Sequence, residues 1–396
     1  MTRCNLTHPT LGGGTDRRGA AYAGRTMQCD YFDARRCRSC TLMGTPYAEQ
    51  LAAKQHRAAT ALVDVAPHLA WLDPARSPAS HYRNKAKLVV GGRTGNPTLG
   101  ILDERGRGVD LRRCGLYEPG LAATFDPLHR FVADLAMEPY DVPARRGQLK
   151  YLILTHSPDG EHLVRFVLRS DRHLADLRAA LPRLLADVPS ARVVTVNLHP
   201  EHKAVLEGDT EVVLTEQTLL PMRVGDATLL LGPRSFFQTN TAVAGALYRQ
   251  AKEWVAAADP GVVWDLYCGV GGFALHAAAP GRTVLGVETS LDAVEAAQAS
   301  ASVDAPTFVV GDATTAHLSP APDLVVVNPP RRGIGPELAA WLDASPATEV
   351  LYSSCNVGSL ARDLAAMPSL QPVTGRVFDM FPQTPHTEVM VRLQRR

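Results

Sequence analysis

Val262-Val-Trp-Asp-Leu-Tyr-Cys-Gly-Val-Gly-Gly-Phe273 is the stretch that indicates the fold class. An apolar run leads to Asp265, a glycine-rich turn begins at Gly269, and a run of alanine, leucine and histidine follows. This order predicts a strand, a tight loop and the opening of a helix. Glycine is expected in the loop because a Cβ would hold the backbone away from a flat ligand, and because tight turns often require a positive φ. The stretch therefore predicts an α/β nucleotide-binding domain.

The acidic residue at the end of this strand distinguishes between two kinds of nucleotide site. A dinucleotide-binding fingerprint requires glycine where this chain has Leu266 to Cys268. Asp265 followed by a Gly-x-Gly turn at Gly269 resembles instead the S-adenosylmethionine (SAM) site of class I methyltransferases. A Gly-x-Gly pattern is common, so the prediction depends on the strands that follow.

Two further strands also end in a carboxylate. Thr283 to Glu288 ends 23 positions after Asp265, where a carboxylate would accept hydrogen bonds from ribose hydroxyls. The next predicted strand begins at Phe308 and ends at Asp312, which we expect to meet the adenine amino group. Three successive strands that end in Asp or Glu predict SAM binding much more strongly than one glycine motif.

The fourth predicted strand ends in Asn328-Pro-Pro. Asn-Pro-Pro at this point resembles amino methyltransferases, in which the asparagine holds an exocyclic amine and an aromatic residue follows. Arg331 stands at the aromatic position here, so an amine substrate would lack its stacking partner.

The fifth predicted strand delivers a cysteine to the edge of the sheet where ligands bind. Glu349 to Asn356 is apolar and places Cys355 at its carboxyl end, before a helix expected from about Ser359. The helix dipole is expected to favour the thiolate. Glu388 adds a carboxylate in the turn before a last strand. The pair predicts covalent catalysis at carbon, whereas the alternatives are a core cysteine and a structural salt bridge.

Cysteines near the start of the chain have the spacing of metal ligands. Cys29, Cys37 and Cys40 form a Cys-x7-Cys-x2-Cys pattern with interleaved arginines, which would offset a cluster's charge or face RNA. A fourth ligand is required, and Cys114 is the best candidate, since the other cysteines lie in the N-terminal tail or in the C-terminal domain. Tetrahedral zinc and a [4Fe-4S] cluster both fit four thiolates, so spacing leaves the metal open.

Composition and charge set the frame. The chain has 396 residues, 45% of them hydrophobic, enough for two or three domains. We find no run of about 18 apolar residues and no apolar segment of a signal peptide, and therefore expect a soluble cytoplasmic protein. Net charge is only +1, yet residues 1–120 carry 18 Lys and Arg against 10 Asp and Glu. This basic front part predicts a polyanionic partner or, alternatively, an ordinary solvated surface.

We expect three parts along the chain. Residues 1–26 lack periodicity and predict a disordered extension. Residues 27–225 predict an α+β domain in which Arg83, Lys85 and Lys87 project from one strand face, beside Tyr82, and suit phosphate contact or a charged solvent face. Residues 226–396 predict the SAM-dependent methyltransferase domain.

The junction of the two domains carries Ser235-Phe-Phe-Gln-Thr-Asn240. Asn240 or the following threonine is expected to cap a helix. Phe236 and Phe237 are expected in the core, because paired aromatics before a helix are more often packed than exposed. Gln238 is the unusual polar residue at this strand-to-helix junction.

Together these motifs resemble the RNA uracil-C5 methyltransferases over essentially everything from Met27 onward. The motifs that carry the resemblance are the three-cysteine pattern, Arg-Asn-Lys-Ala-Lys, Ser-Phe-Phe-Gln-Thr-Asn, the glycine loop, Val-Asn-Pro-Pro-Arg-Arg-Gly-Ile-Gly, Leu-Tyr-Ser-Ser-Cys-Asn and Asp-Met-Phe-Pro-x-Thr-x-His. The resemblance implies a [4Fe-4S] cluster on Cys29, Cys37, Cys40 and Cys114. It implies SAM contacts by Gln238, Tyr267, Glu288 and Asn328.

The resemblance also implies a reaction. Uracil C5 is too weak a nucleophile to attack a methyl sulfonium unaided, so the Cys355 thiolate first adds at C6. After methyl transfer, Glu388 removes the C5 proton and the cysteine is eliminated. The target base is expected to flip out of its stack into the pocket.

The branch that acts on 23S rRNA fits best, because residues 1–26 are too few for the TRAM RNA-binding barrel that several relatives carry. Other branches have Asp where this chain has Asn328, so an acid role there is not expected. We expect a monomer. Two alternatives stay open: the same chemistry on tRNA or another 23S uridine, and a non-catalytic, cluster-bearing RNA-binding protein.

Overall fold

A computed structural model describes residues 27–203, 207–301, 306–315 and 318–396. The extension expected at residues 1–26 lies outside the described residues. The helices are α1 (Asp30–Asp33), α2 (Tyr47–Leu62), α3 (Pro119–Ala122), α4 (Phe125–Asp134), α5 (Leu174–Asp187), α6 (Thr241–Ala258), α7 (Gly272–Ala277), α8 (Leu291–Ser300), α9 (Gly335–Ala344) and α10 (Val357–Ala365). The strands are β1 (Ala70–Trp71), β2 (Lys85–Arg93), β3 (Asn96–Leu102), β4 (Gly108–Asp110), β5 (Leu149–His156), β6 (His162–Leu168), β7 (Ala191–Leu198), β8 (Thr210–Val213), β9 (Leu220–Val224), β10 (Ala227–Leu231), β11 (Val262–Leu266), β12 (Thr283–Glu288), β13 (Thr307–Val310), β14 (Leu324–Val327), β15 (Glu349–Ser354), β16 (Leu370–Phe378) and β17 (Glu388–Arg395).

The first sheet has seven strands in the order β4-β3-β2-β5-β6-β7-β8. All neighbours are antiparallel except β6 and β7, which are parallel because α5 crosses between them. Helices α4 and α5 bury apolar residues such as Phe131 and Leu177 against strand residues such as Phe166. This sheet and its helices form the α+β part of the molecule.

The second sheet has eight strands in the order β1-β16-β17-β15-β14-β11-β12-β13. Strands β11 to β15 are parallel neighbours, and β17 lies antiparallel to β15. Helices α6, α7 and α8 pack on one face, and α2, α9 and α10 pack on the other. Both faces are therefore covered, which explains the continuous apolar runs of β11, β14 and β15.

The division expected at residue 225 does not separate the two sheets along the chain. Helix α2 packs with Ala58 and Leu62 in the core of the second sheet, and β1 pairs in parallel with β16. The β9–β10 hairpin also packs on that sheet's helices through Met222 and Leu229. The first sheet is thus inserted between β1 and the rest of the second sheet.

Other elements differ from the sequence expectation for local reasons. Strand β16 was not expected, since Pro372 and Gly375 interrupt its pattern, and the structure places a register shift between Pro372 and Thr374. Strand β2 begins at Lys85, so Arg83, expected on the same strand, lies before it and pairs only through an isolated bridge with Tyr117. Among the described residues, none of the helices combines the length and apolar character needed to span a bilayer.

Candidate active site

The glycine loop after β11 is shaped by packing as well as by ligand access. Gly271 has a φ of 85°, and a Cβ there would lie 2.7 Å from the Phe308 ring. Gly269 has a φ of 53° and open space around a Cβ. Tyr267 adopts a left-handed φ of 64°, an uncommon conformation for a bulky residue that clusters at functional sites. Of the loop glycines, Gly269 is the one that lines the adjoining cavity.

Asp265 supports this loop from below. Its side chain is fully buried, and Oδ2 accepts a hydrogen bond of 2.9 Å from the Ala274 backbone amide in α7. Burial raises the pKa of Asp265 to about 8. Asp265 does not line the cavity. The sequence placed it among the cofactor contacts, whereas the structure places it where it fixes the first turn of α7.

A cavity of about 930 Å³, here called the sheet-end cavity, opens at the carboxyl ends of the parallel strands. Its size suits a cofactor together with part of a substrate. The sequence-predicted residues that line it are Gln238, Tyr267, Gly269, Glu288, Asp312, Asn328, Cys355 and Glu388. These residues come from segments spread over 150 positions of sequence. The carboxyl ends of the parallel strands β11 to β15 bring most of them to one edge of the sheet. Glu388 joins them because β17 is antiparallel to β15 and begins at that edge, and Gln238 comes from the loop before α6.

Two of the lining carboxylates are held by backbone amides. Glu288 accepts hydrogen bonds from the amides of Gly269 (3.2 Å) and Thr289 (2.8 Å). Asp312 accepts from the Thr314 amide at 2.9 Å, and this hydrogen bond lowers the pKa of Asp312. Both carboxylates are therefore fixed acceptors at neighbouring strand ends, suited to hydroxyl or amine donors.

Gln238 reaches the cavity because the first sheet holds its loop. The Asn84 side-chain amide donates to the Gln238 carbonyl oxygen at 3.0 Å and to Thr241 Oγ1 at 2.7 Å, and the Asn84 backbone amide donates to Thr239 O at 3.0 Å. The Asn84 side chain is almost completely buried. The asparagine within the basic strand motif is therefore an anchor between the two sheets.

The two phenylalanines before Gln238 have different positions. Phe237 is buried, as expected, but Phe236 is 73% exposed and lines the cavity. The expectation that both lie in the core was wrong for Phe236. Both residues lie in the loop between β10 and α6, which has no regular periodicity to predict which of two neighbouring aromatics is buried.

Cys355 lies directly after β15 and lines the cavity with a half-buried side chain. Helix α10 begins at Val357, and its cap is Asn356, whose Oδ1 accepts from the Gly358 amide at 3.1 Å. Burial raises the pKa of Cys355, Glu388 raises it further, and Arg331 lowers it. This direction is opposite to the one expected from the helix dipole, so the isolated chain favours the thiol.

Glu388 is 2% exposed at the start of β17 and lines the same cavity. Ser353 donates a hydrogen bond of 2.6 Å from Oγ to Glu388 Oε1. Burial raises the pKa of Glu388 to about 7, and the Ser353 hydrogen bond opposes that rise. A carboxylate that titrates near neutral pH is suited to general base catalysis.

The loop between β16 and β17 is held by a buried ion pair. Lys54 Nζ lies 2.5 Å from Asp379 Oδ1 and 3.0 Å from the Phe381 carbonyl oxygen. Both charged side chains are fully buried. Because Phe381 and His386 line the cavity, α2 fixes one of its walls. Sequence reasoning missed this contribution, since Lys54 is one polar residue among several in an amphipathic helix.

Comparisons with known proteins agree with this geometry. The chain is 46% identical over 383 residues to the 23S rRNA (uracil(747)-C(5))-methyltransferase RlmC of Halothiobacillus neapolitanus, across 93% of this chain and 100% of that protein. It is 44% identical to the RlmC of Escherichia coli O157:H7, across 93% and 99%. A tRNA (uracil-5-)-methyltransferase family model matches residues 319–396.

A solved structure has the same fold. The Pyrococcus abyssi tRNA (uracil-54, C5)-methyltransferase, in complex with S-adenosyl-L-homocysteine, superimposes with a TM-score of 0.77 and 25% identity. The match covers 90% of this chain and 84% of that one. The chain belongs to the RNA uracil-C5 methyltransferase family. Its second sheet accordingly has the fold of SAM-dependent methyltransferases, in a mixed α/β protein.

This member of the uracil-C5 methyltransferase family has a second cavity, of about 300 Å³, here called the cysteine cavity. Cys29, Cys37, Cys40 and Cys114 all line it as free thiols. Within the described ranges, no group of three or more His, Cys, Asp or Glu side chains is arranged so that it could hold a metal ion. The four predicted ligands therefore share one cavity but are not arranged around a metal position.

Cations surround the cysteine cavity. Arg83, Lys85 and Lys87 all line it, so they share one face as expected, but that face points at the thiols. The interleaved arginines lie elsewhere, with Arg38 stacked 4.1 Å from the Phe32 ring. Tyr82, expected beside phosphate, is buried and donates to the Pro382 carbonyl oxygen at 3.1 Å.

Proposed function

We propose that the chain transfers a methyl group from SAM to C5 of a uridine in 23S rRNA, of the uridine 747 type named for its relatives, and forms 5-methyluridine. The observation that carries this proposal is the meeting of Cys355 and Glu388 in one cavity with the carboxylate-bearing strand ends. A nucleophile and a base beside a methyl donor are what methylation of a pyrimidine carbon requires.

The cofactor would occupy the glycine-loop side of the sheet-end cavity. Glu288 and Asp312 line the cavity, where Glu288 would accept from the ribose hydroxyls and Asp312 from the adenine amino group. Gln238, Tyr267 and Asn328 would complete the contacts, with Gly269 leaving room for the backbone to approach the ligand. Asp265 would act indirectly, through the first turn of α7. SAM supplies the electrophilic methyl group when bound.

The proposed reaction uses Cys355 first. Its thiolate adds to C6 of the flipped uracil, which makes C5 a nucleophilic enolate carbon. The thiol must lose its proton beforehand, and Arg331, which lowers the pKa of Cys355, stabilises the thiolate. After methyl transfer, Glu388 removes the remaining C5 proton, and the Cys355 sulfur leaves as the double bond re-forms.

The cysteine cavity would hold a [4Fe-4S] cluster, with Cys29, Cys37, Cys40 and Cys114 as ligands. A [4Fe-4S] cluster takes four thiolate ligands, and the four cysteines all line this one cavity. A cluster with four thiolates is anionic, and the facing cations would offset that charge. The group would fasten the loop that contains α1 onto the first sheet.

The first sheet with its cysteine loop would form the RNA-contacting, cluster-bearing domain of residues 27–225, and residues 226–396 with α2 and β1 would form the methyltransferase domain. Phe236, exposed at the sheet-end cavity, offers a stacking surface for a base. The proposed partner is 23S rRNA or an assembly fragment of it, bound by a cytoplasmic monomer.

Methylation assays test this proposal. In the first assay, purified protein is incubated with radiolabelled SAM and either 23S rRNA fragments or tRNA. In the second, methyluridines are mapped by mass spectrometry in 23S rRNA and tRNA from cells with and without the gene. We expect 5-methyluridine at a single 23S position, present only with the gene. tRNA is the second candidate, because the matching family model and the Pyrococcus abyssi structure are both named for tRNA. RNA binding without methyl transfer would overturn the enzyme proposal.

A further inference from the structure

One buried hydrogen bond beside the sheet-end cavity joins a side chain of β15 to a side chain of the neighbouring strand β17. Strand β15 lies antiparallel to β17, with Ser353 opposite Met390. Ser353 is completely buried, Glu388 is almost so, and Ser353 Oγ lies 2.6 Å from Glu388 Oε1. At this length, with a carboxylate as acceptor, the bond is a strong, charge-assisted one.

The two adjacent serines of β15 have different partners. Ser354 Oγ donates to the Asn356 carbonyl oxygen at 3.0 Å and accepts from the Asn356 amide at 3.1 Å, so it shapes the turn after the strand. Ser353 instead reaches across to β17. The remainder of the buried strand is mainly apolar, with Val350 and Leu351 completely buried. A hydroxyl in such surroundings requires a specific partner, and that partner is the proposed base.

We infer that Ser353 is a positioning residue for proton removal from C5: its hydroxyl holds the Glu388 carboxylate in one orientation and keeps it ready to accept a proton. This inference rests on the proposed function. Ser353 donates to Oε1, which leaves Oε2 as the oxygen that takes the proton. Ser353 itself does not line the cavity, so it acts through Glu388 rather than on substrate.

Proton removal from C5 and release of Cys355 form one elimination. The C5–H bond of the methylated adduct breaks, and the proton passes to Glu388. The electron pair of that bond forms the C5=C6 double bond, and the C6–S bond breaks with its pair returning to the Cys355 sulfur. Glu388 must be ionised when the adduct forms its product, and a donated hydrogen bond favours the ionised form.

Other charged and titratable groups also face this carboxylate. Burial is the main cause that raises the pKa of the Cys355 thiol and of the Tyr248 phenol, and the Glu388 charge raises both further. Arg331 and His386 line the same cavity. In the covalent adduct Cys355 is a thioether and no longer titrates. Burial, and then Arg331, hold the pKa of His386 below its usual value, so Glu388 is the cavity-lining group expected to titrate through about pH 7 during adduct breakdown.

The test follows adduct breakdown in the full-length protein. Wild type and Ser353→Ala are each mixed with SAM and a uridine-containing RNA under single-turnover conditions, in reactions buffered between pH 6 and pH 9. The reactions are stopped with denaturant at a series of times, and the covalent protein–RNA band is quantified on gels. We expect Ser353→Ala to slow breakdown by about tenfold near pH 6.5, with recovery toward wild type at pH 9, because the lost bond is charge-assisted. The midpoint of its pH profile moves upward.

Two further variants complete the test. Ser353→Cys retains a weaker donor and is expected to give an intermediate midpoint, which also serves if the alanine variant fails to fold. Ser345→Ala removes a buried hydroxyl that donates to the Leu342 carbonyl oxygen at 2.8 Å, outside the cavity, and is expected to match wild type.

The outcomes are distinct. If the pH profile of adduct breakdown has the same midpoint in Ser353→Ala as in wild type, the role of Ser353 is overturned and the proposed function stays intact. This holds whether the variant breaks the adduct down at the normal rate or more slowly by the same factor at every pH. Absence of 5-methyluridine with the wild-type protein would instead overturn the proposed function.

Discussion

Two cavities of this chain contain cysteines, and they are built in different ways. Cys355 lies at the end of a buried parallel strand and is followed at once by a capped helix, so regular structure fixes its position. The four cysteines of the cysteine cavity lie in loops, with Cys29 as the N-cap of the very short helix α1. This difference agrees with our proposal of a nucleophile in one cavity and metal ligands in the other.

Loss of Cys355 is expected to have the largest effect. Cys355→Ala removes the nucleophile, so 5-methyluridine formation should fall by about 10⁴-fold or more. Radiolabelled methyl transfer to RNA measures it, and SAM binding by calorimetry checks that the cavity persists. Methylation at the normal rate would show that Cys355 is a structural cysteine and not the nucleophile.

Glu388→Gln should slow turnover by about 10² to 10⁴-fold, because glutamine cannot accept the C5 proton. Glutamine can still accept the Ser353 hydrogen bond, so the wall of the cavity should stay in place. The methylated adduct should accumulate as a gel-shifted protein–RNA band. In the Cys355→Ala, Glu388→Gln double variant no such band should form. A Glu388→Gln variant with normal turnover and no band would assign Glu388 to structure alone.

Lys54→Met should destabilise the sheet-end cavity but not the cysteine cavity. Removing one partner of a buried ion pair leaves Asp379 uncompensated and should cost about 3–5 kcal/mol of unfolding free energy. Denaturant unfolding measures the loss. Lys54→Met combined with Asp379→Leu removes both charges and should recover much of it. A single variant as stable as wild type would contradict the predicted contribution of this pair.

The rate of adduct breakdown should rise with pH through about 7. Burial raises the pKa of Glu388 to about 7, and the base acts when ionised, so the rate should rise about tenfold from pH 6 to pH 8. Single-turnover measurements across that range provide the profile. A rate that is flat over this interval would contradict a base that titrates near neutrality.

Cys37→Ser is expected to have the smallest effect on the sheet-end cavity. It should abolish the visible absorption and the iron content of the purified protein, while SAM affinity changes by less than about twofold, because distant sites act independently. Metal analysis and SAM calorimetry test both parts. Ser39→Ala is a control in the same loop that keeps all four thiols. Equal metal content in Cys37→Ser would refute the ligand role.

Sequence was informative where a repeated architecture places residues. Glu288 and Asp312 were located in the cavity because strand ends of a parallel sheet converge. Phe236 was misplaced because an exposed and a buried aromatic look alike in sequence. Ser353 was missed, although a polar residue inside an apolar strand was a usable signal. Contacts between remote segments, such as Lys54 with Asp379, have no local pattern that would reveal them.

The pairing of β1, near the start of the chain, with β16, near its end, affects how the protein folds during synthesis. Strand β1 pairs Ala70 with Thr374, so its partner leaves the ribosome about 300 residues later. Until then α2 carries Ala58 and Leu62 without the strands that bury them. Such long-range pairing slows folding and exposes apolar surface during synthesis. All strands of the first sheet lie within residues 85–213, so this sheet can form before the last strands, against which α2 packs, have been synthesised.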